Sequence, residues 1–352
     1  MAASLTGCEG KWTKYEGAFD GLFDTHCDMV GYARSISEFN RYADRFYEVM
    51  TEYDKLFDIY NNYDGLNNLK TVNDNAGADP VEVDHRVIDL ILYCKQIYDI
   101  TGGAVNVAMG PVLSIWHKYR EEANANPANA RIPTSMELYG QSELMDISFV
   151  QIDRESSAIF LALKGMSLDV GAIAKGYATY QAVEEMKKIG MTNMLINMGG
   201  NIISIGKPQD GARARWGVGV QDPRLSVDGA NNILDTIYVN DIAVVSSGDY
   251  QRYYMVGGKR MHHIIDPETL FPASRYTSVT VVHPDSALAD GLSTALFIMD
   301  EEEGKALALE YGAEALWVYA DGQTQYTNGY KTISKTYGGY SATDPESLEA
   351  TE

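Results

Sequence analysis

Apolar residues recur at three- and four-residue steps between positions 35 and 60: Phe39, Ala43, Phe46, Met50, Tyr53 and Phe57. The spacing predicts one long amphipathic helix, opened by a capping box of Ser35 and Glu38. Residues 81–99 repeat the pattern, with Val83, Val87, Leu90, Ile91, Cys94 and Tyr98 on one face and Gly102 just past the end. Between them, NNYDGLNNLKTVNDNAG (61–77) is rich in Asn and Gly and predicts a polar loop. NANPANARIP (124–133) predicts a surface loop, and a strand pair is expected within 148–169. A third helix is expected over 174–189, ending at Gly190. The period then changes. MLINM, NIISIG, WGVGVQD, ILDTIYV, IAVVSS, RYYMV, HHIID and SVTVVH are short, closely spaced and punctuated by glycine, which predicts a largely antiparallel sheet. A fourth helix is expected over 286–299, interrupted by Gly291, and EGKALALEYG and EALWVYA add a last helix and strand. The class is α+β, with helices packed on a mostly antiparallel β-sheet core. The expected organisation is an N-terminal tether (1–19), one domain (20–338) and a disordered tail (339–352), acidic and rich in Ser and Thr from 341.

At 352 residues and 45% apolar content the chain can bury a sizeable core. Its formal net charge of −21 argues against bare nucleic acid and anionic membrane surfaces as partners, since both need a basic face. An anionic small ligand is still compatible, held by backbone N–H groups, a lysine or a bound cation. No run of about 18 apolar residues occurs. Cys8, Cys27 and Cys94 lie far apart without metal-ligand spacing, and Cys27 and Cys94 read as buried free thiols.

MSLDVGAIAKGYATYQAVEEM (166–186) has the outline of a phosphate loop without its spacing, and it lacks the dinucleotide fingerprint. Asp169 and Lys175 flank its small-residue turn. In the fourth helix Asp290 and Thr294 stand four residues apart, placing two hard oxygen donors on one face. They read either as part of a Mg²⁺ site or as a solvated carboxylate and a packed hydroxyl. His262 and His263 enter a short strand ended by Asp266-Pro267; strict alternation would turn them to opposite sides. Either histidine is a proton shuttle or the segment is a structural turn. Gly199-Gly200, SSGDYQRYY (246–254) and GGAVNVAMGPVLSIW (102–116) read as tight turns or as close backbone approaches to a ligand.

Taken in order, these segments resemble the FAD:protein FMN transferase family, the ApbE-like flavin transferases. LDVGAIAKGYA, NMLINMGGNIISIG, SSGDYQRYY, HHIIDPETLFPA and SVTVVHPDSALADGLSTALF carry the likeness, with support from GAVNVAMGPVLSIW and FDIYNNYDGLNNLKTVNDNAG. The match spans roughly residues 20–335. The resemblance implies an ApbE-like fold. It also implies an enzyme that binds FAD with Mg²⁺, cleaves the diphosphate, joins FMN through a phosphodiester to a Thr or Ser of an acceptor protein, and releases AMP. It makes the Ala172 carbonyl, Asp290 and Thr294 the metal ligands. Phe23, Tyr60, Ala104, Val105, Asn106, Asp169, Lys175 and Ile264 fall at FAD-contacting positions. His263 matches the catalytic histidine, and Asp266 is a second candidate base. The chain departs from the family pattern at three places: Phe23-Asp24 for Met-Gly, Asn106 for a common Asp, and Leu270 for the Gly after the Thr of the Asp-Pro turn.

The same site passing FMN to water would make an FAD pyrophosphatase, and a site without turnover would make a flavin carrier. LTGC (5–8) resembles the end of a bacterial lipoprotein signal, which predicts a lipid anchor at Cys8 and a place on the outer face of a cytoplasmic membrane.

Overall fold

A computed structural model describes residues 11–225 and 232–343. The long helix is α1, Ile36–Phe57, with Ser35 as N-cap accepting from the Glu38 N–H. The Glu38 carboxylate reaches back to the Arg34 N–H at 2.6 Å, which anchors the chain entering the helix. Helix α1 buries Phe39, Phe46, Met50, Leu56 and Phe57, each contributing about 2 kcal/mol of transfer free energy. The expected polar loop after it contains a short helix, α2 (Leu69–Asp74), where Asn68 and Thr71 form a capping box. Polar composition hid it, because the stabilising groups are themselves Asn and Thr.

Helix α3 spans His85–Ile100 and starts later than expected, since Asp84 caps it and Val81–Glu82 pairs as a strand. The stretch 102–116, expected to be a loop, contains the start of α4 (Gly110–Ala125), with Pro111 in its first turn. Helices α5 (Ser135–Tyr139), α6 (Ala174–Lys188), α7 (Ser286–Ile298), α8 (Glu301–Glu310) and α9 (Tyr330–Ile333) follow. Helix α7 is not interrupted at Gly291. A Cβ there would stand 3.0 Å from Ile97 Cγ2, so the glycine lets α3 approach an unbroken helix.

The strands are β1 (Thr13–Leu22), β2 (Thr25–Ala33), β3 (Val81–Glu82), β4 (Val150–Asp153), β5 (Ala158–Leu161), β6 (Met194–Met198), β7 (Asn201–Ile205), β8 (Trp216–Gln221), β9 (Ile233–Val239), β10 (Ala243–Gly248), β11 (Tyr253–Val256), β12 (Lys259–His262), β13 (Ser278–His283), β14 (Glu314–Val318) and β15 (Thr324–Tyr326). The main sheet has the order β1-β2-β6-β7-β10-β13-β14-β15, and each neighbouring pair in it is antiparallel. Helices α1, α6 and α7 cover one face over the principal core. The β8–β9 hairpin covers the other, packing Val218, Val220 and Ile237 on Val244, Val282 and Val318. Cover on both faces buries five consecutive residues of β13, Ser278 and Thr280 included. A smaller core around Met109, Trp116, Tyr254 and Leu270 joins α4 and α5 to the β11–β12 hairpin.

The expected tether is shorter than residue 19. Thr13–Leu22 is strand, and Tyr15 and Phe19 on one face of it meet Phe39 and Phe46 of α1. The HHIID strand is also displaced: β12 ends at His262, and Ile265 makes only a single bridge to Pro272. The beginning of the expected tail is packed, with the Arg215 guanidinium 4 Å or less (3.9 Å) from the Tyr340 ring and the Ala214 N–H donating to the Ala342 carbonyl. Cys8 and residues 344–352 lie outside the described residues. Cys27 and Cys94 are buried free thiols, as expected.

Candidate active site

The N-terminus of α6 abuts the middle of α7 because residue 176 is glycine. A Cβ there would lie 2.5 Å from Asp290 Cβ and 2.5 Å from the Ser286 carbonyl oxygen. The contact lets the Gly176 N–H donate to Asp290 Oδ2 at 2.7 Å, while Ser286 Oγ donates to the Gly176 carbonyl at 2.8 Å. Gly176→Ala is therefore expected to push the helices apart, lowering stability by about 1–3 kcal/mol and displacing Asp290; thermal unfolding and an activity assay on the same sample check both effects.

Asp290 and Thr294 both face a cleft of about 970 Å³. Between Asp290 and Ile298, Thr294 alone is not buried, which marks the stripe of an otherwise apolar helix that opens onto the cleft. Asp169, Ala172 and Lys175 line the cleft from the turn before α6. Asp169 Oδ1 accepts from the Gly171 N–H at 2.9 Å, and Lys175 Nζ donates to the Gly199 carbonyl at 2.9 Å. Gly199 (φ +53°) also lies so close to Thr25 that a Cβ could not fit, so this turn serves packing and presents its carbonyl to the lysine. Burial raises the proton affinity of the Asp169 and Asp290 carboxyls and lowers that of Lys175, with the Asp290–Lys175 attraction opposing burial at both members.

The remaining predicted contacts converge on the same cleft. Phe23 sits in the β1–β2 turn, its N–H donating to Asp54 Oδ1 at 2.8 Å. Tyr60, 56% exposed, lines the cleft with its ring 5.5 Å from the His117 ring. Ala104, Val105 and Asn106 line one wall, and Ile264 and His263 another.

The two histidines diverge as expected. The His262 ring is buried, its Nε2 2.7 Å from the Ala273 carbonyl and its Nδ1 accepting from the Ile264 N–H at 3.3 Å; this is a structural role. The His263 ring lines the cleft, with a buried Nδ1 that has no hydrogen-bond partner. Burial, then the charges of Arg252, His262 and Arg120, hold its pKa down at about 3, so the imidazole is neutral. Asp266 does not line the cleft. Its carboxylate accepts from the Glu268 N–H at 2.8 Å and shapes the turn.

Sequence reasoning missed Arg120 and Arg252, which also line the cleft. Arg252 stands in SSGDYQRYY, which carries the resemblance without any role for its arginine, and Arg120 in α4, read only as far as Trp116.

The oxygen donors suit Mg²⁺. No group of three or more His, Cys, Asp or Glu that could hold a metal occurs among the described residues. A buried carboxylate with a hydroxyl and a carbonyl beside it would leave the other positions to water and substrate phosphate, the arrangement Mg²⁺ favours.

A profile of the ApbE family matches residues 23–317. The chain belongs to the ApbE family. It is 32% identical to the FAD:protein FMN transferase of Treponema pallidum over 274 residues, 74% of this chain and 73% of that protein. A Klebsiella pneumoniae protein of the same name is 31% identical over 265 residues, 75% of this chain and 77% of the relative. The crystal structure of the ApbE protein of Thermotoga maritima superposes with a TM-score of 0.78 at 29% identity, covering 91% of this chain and 99% of that one. Membership makes the chain a flavin transferase.

The three departures from the ApbE pattern have local explanations. Leu270 keeps the left-handed backbone that favours glycine (φ +63°), and its side chain is buried beside Trp116, whose indole N–H donates to the Leu270 carbonyl at 2.9 Å. Phe23 and Asp24 both take φ +52°, the hairpin-turn conformation that the family's Met-Gly would supply with less strain. Asn106 accepts from the Ala108 N–H and donates through Nδ2 to the Met145 carbonyl at 2.8 Å, a donation no aspartate could make.

Proposed function

We propose that the protein is a Mg²⁺-dependent FAD:protein FMN transferase acting on a Thr or Ser hydroxyl of an acceptor flavoprotein and releasing AMP. The observation that carries this reading is the convergence of Ala172, Asp290 and Thr294 with His263 on one cleft of an ApbE-family chain. Bound Mg²⁺ would supply positive charge against the diphosphate oxygens, which a chain of net charge −21 does not offer by its overall field. Asp290 and Thr294 would hold the ion by side-chain oxygens and Ala172 by its carbonyl. Lys175 adds a second cation at the cleft floor. Asp169, Tyr60, Phe23 and Ile264, with residues 104–106, shape the FAD site.

His263 is the proposed base. A neutral imidazole has the lone pair the step requires, and an anionic diphosphate beside it raises its proton affinity from the low value of the ligand-free protein. The acceptor O–H gives its proton to His263, and its oxygen bonds to the FMN phosphorus. The diphosphate P–O bond breaks, with its electron pair leaving on AMP. Asp266, committed to its turn, is the poorer candidate.

Incubation with FAD, Mg²⁺ and an acceptor is expected to give a flavin-fluorescent protein band on a denaturing gel. Free FMN and AMP without a band would favour the pyrophosphatase, and bound but unchanged FAD the carrier.

We infer too that Cys8 carries a lipid anchor, supported by the LTGC pattern alone. Only residues 9–12 separate it from β1, a reach of at most about 18 Å, so the domain would sit close to the bilayer surface. Membrane fractionation of cells expressing the full-length gene, with and without Cys8→Ala, tests this; both forms in the soluble fraction would refute it.

A further inference from the structure

Two guanidinium groups in the cleft lack carboxylate partners, although the chain has 49 acidic residues against 28 basic ones. Neither Arg120 nor Arg252 forms an ion pair among the described residues. Arg120, half-buried, donates from Nη2 to His117 Nδ1 at 2.7 Å. That bond leaves the His117 proton on Nε2, 3.0 Å from Glu121 Oε1, and fixes the ring 5.5 Å from the Tyr60 ring. Arg120 is thus held in place by a ring nitrogen rather than by an ion pair, with Glu121 and Asp169 acting on its charge only from a distance.

Arg252 comes from a different element, immediately before the β11–β12 hairpin. Tyr253 pairs with His262 in that ladder, so Arg252 and His263 are the next two residues at its open end. Arg252 is exposed and lines the cleft with Arg120, Asp169 and His263. Its charge acts on Tyr60, Arg120, Asp169, Lys175 and His263 alike, and it disfavours the charged form of Arg120. Asp169 is the carboxylate on which both cations act, and burial favours its protonated form, so two cations turned toward one space beside a proposed base suit an anionic ligand.

We propose that Arg120 and Arg252 form a metal-independent phosphate subsite that holds the adenylate phosphate of the nucleotide. This rests on reading the cleft as the FAD site. When the diphosphate P–O bond breaks, the electron pair goes to the adenylate oxygen, and the AMP phosphate gains a negative charge. Planar guanidinium groups suit paired phosphate oxygens, and the charge they meet is largest as the leaving group departs. They would therefore position the substrate before the reaction and stabilise its leaving group during it. An acidic segment of the acceptor is the competing occupant. The place of the pair inside the cleft, beside Asp169 and His263 rather than on the outer surface, favours the nucleotide.

The test is calorimetric titration of the full chain with AMP, in EDTA without Mg²⁺, with adenosine as the uncharged control. The wild type is expected to bind AMP more tightly than adenosine. Arg120→Gln and Arg252→Gln should each weaken AMP binding by about tenfold or more, the usual worth of a hydrogen bond to a charged group, and leave adenosine binding unchanged. Arg252→Lys should recover part of the loss. Since Arg252 is exposed, its variants should unfold at the wild-type temperature. The proposal is overturned if the wild type does not distinguish AMP from adenosine, or if both glutamine variants bind AMP as the wild type does. It is equally overturned if adenosine binding falls in parallel, or if only the KM for the acceptor rises. FMN transfer measured on the same proteins separates the two readings. Arginine-dependent AMP binding without any transfer would retain the subsite and remove the transferase assignment, whereas normal transfer with arginine-independent AMP binding would do the reverse.

Discussion

Asp290→Asn is expected to lower FMN transfer roughly a thousandfold, because it deletes the only carboxylate among the three proposed metal ligands. Asparagine has nearly the same shape, and its Oδ1 can still accept the Gly176 N–H that now meets Asp290 at 2.7 Å. The contact between α6 and α7 should survive, so the loss would report charge rather than packing. Two measurements separate these causes. Transfer from saturating FAD at millimolar Mg²⁺ gives the catalytic loss. Thermal unfolding with and without Mg²⁺ gives the binding loss, because an ion that binds only the folded chain raises its stability by mass action. The wild type should show a Mg²⁺-dependent rise in Tm and the variant none. Thr294→Val should fall between them, since a neutral hydroxyl donor contributes less than a carboxylate. Transfer by Asp290→Asn within threefold of wild type at saturating Mg²⁺ would remove Asp290 from the metal site.

The legibility of Asp290 and Thr294 has a physical origin. They are polar residues four apart in a helix that buries nearly everything else, and such residues need either a partner or a function. Strands β6 and β9 were readable to the residue because glycine and polar turns bound them on both sides. The N-terminal strand β1 was not, because it lies at the sheet edge with one face against α1. Its signal is only Tyr15, Gly17 and Phe19 in a polar stretch. Helix α4 was obscured by its start, where glycines and Pro111 read as a loop, although proline is well tolerated in a first turn.

Arg120 and Arg252 illustrate a different limit. Nothing in their local sequence relates them; α4 and the β11–β12 hairpin are brought together by the small core that includes Trp116 and Tyr254. Their shared cleft is a property of packing between segments more than a hundred positions apart, beyond the reach of any periodicity. Asp266 shows the converse. It stands three residues from His263 in a segment dense with functional residue types, yet the turn directs its carboxylate to the Glu268 N–H.

His263→Ala is expected to retain FAD binding and to lose transfer by about two to four orders of magnitude, the usual contribution of a positioned general base. Loss of FAD binding together with transfer would instead make the ring a ligand-holding or structural group. The same substitution has a second, independent signature in acid. The pKa of His263 in the folded, ligand-free protein is down at about 3, against about 6.5 for an unperturbed histidine, with burial as the first cause and the charge of Arg252 as the next. Above about pH 6.5 the ring is neutral in both folded and unfolded chains and imposes no penalty. As the pH falls from 6.5 toward 3, the unfolded chain takes up a proton that the folded chain refuses, and the wild type loses about 1.4 kcal/mol per pH unit from this group. By pH 4.5 the loss reaches about 2–3 kcal/mol. The alanine variant has no ring to protonate and escapes it, while His262 titrates in both proteins and cancels. Any stability advantage of the wild type at pH 7 should therefore shrink by about 2–3 kcal/mol by pH 4.5, measured by urea unfolding of both proteins at the two pH values. A difference that stays constant between them would mean that the folded protein accommodates a charged ring, and the depressed pKa of His263 would have to be abandoned.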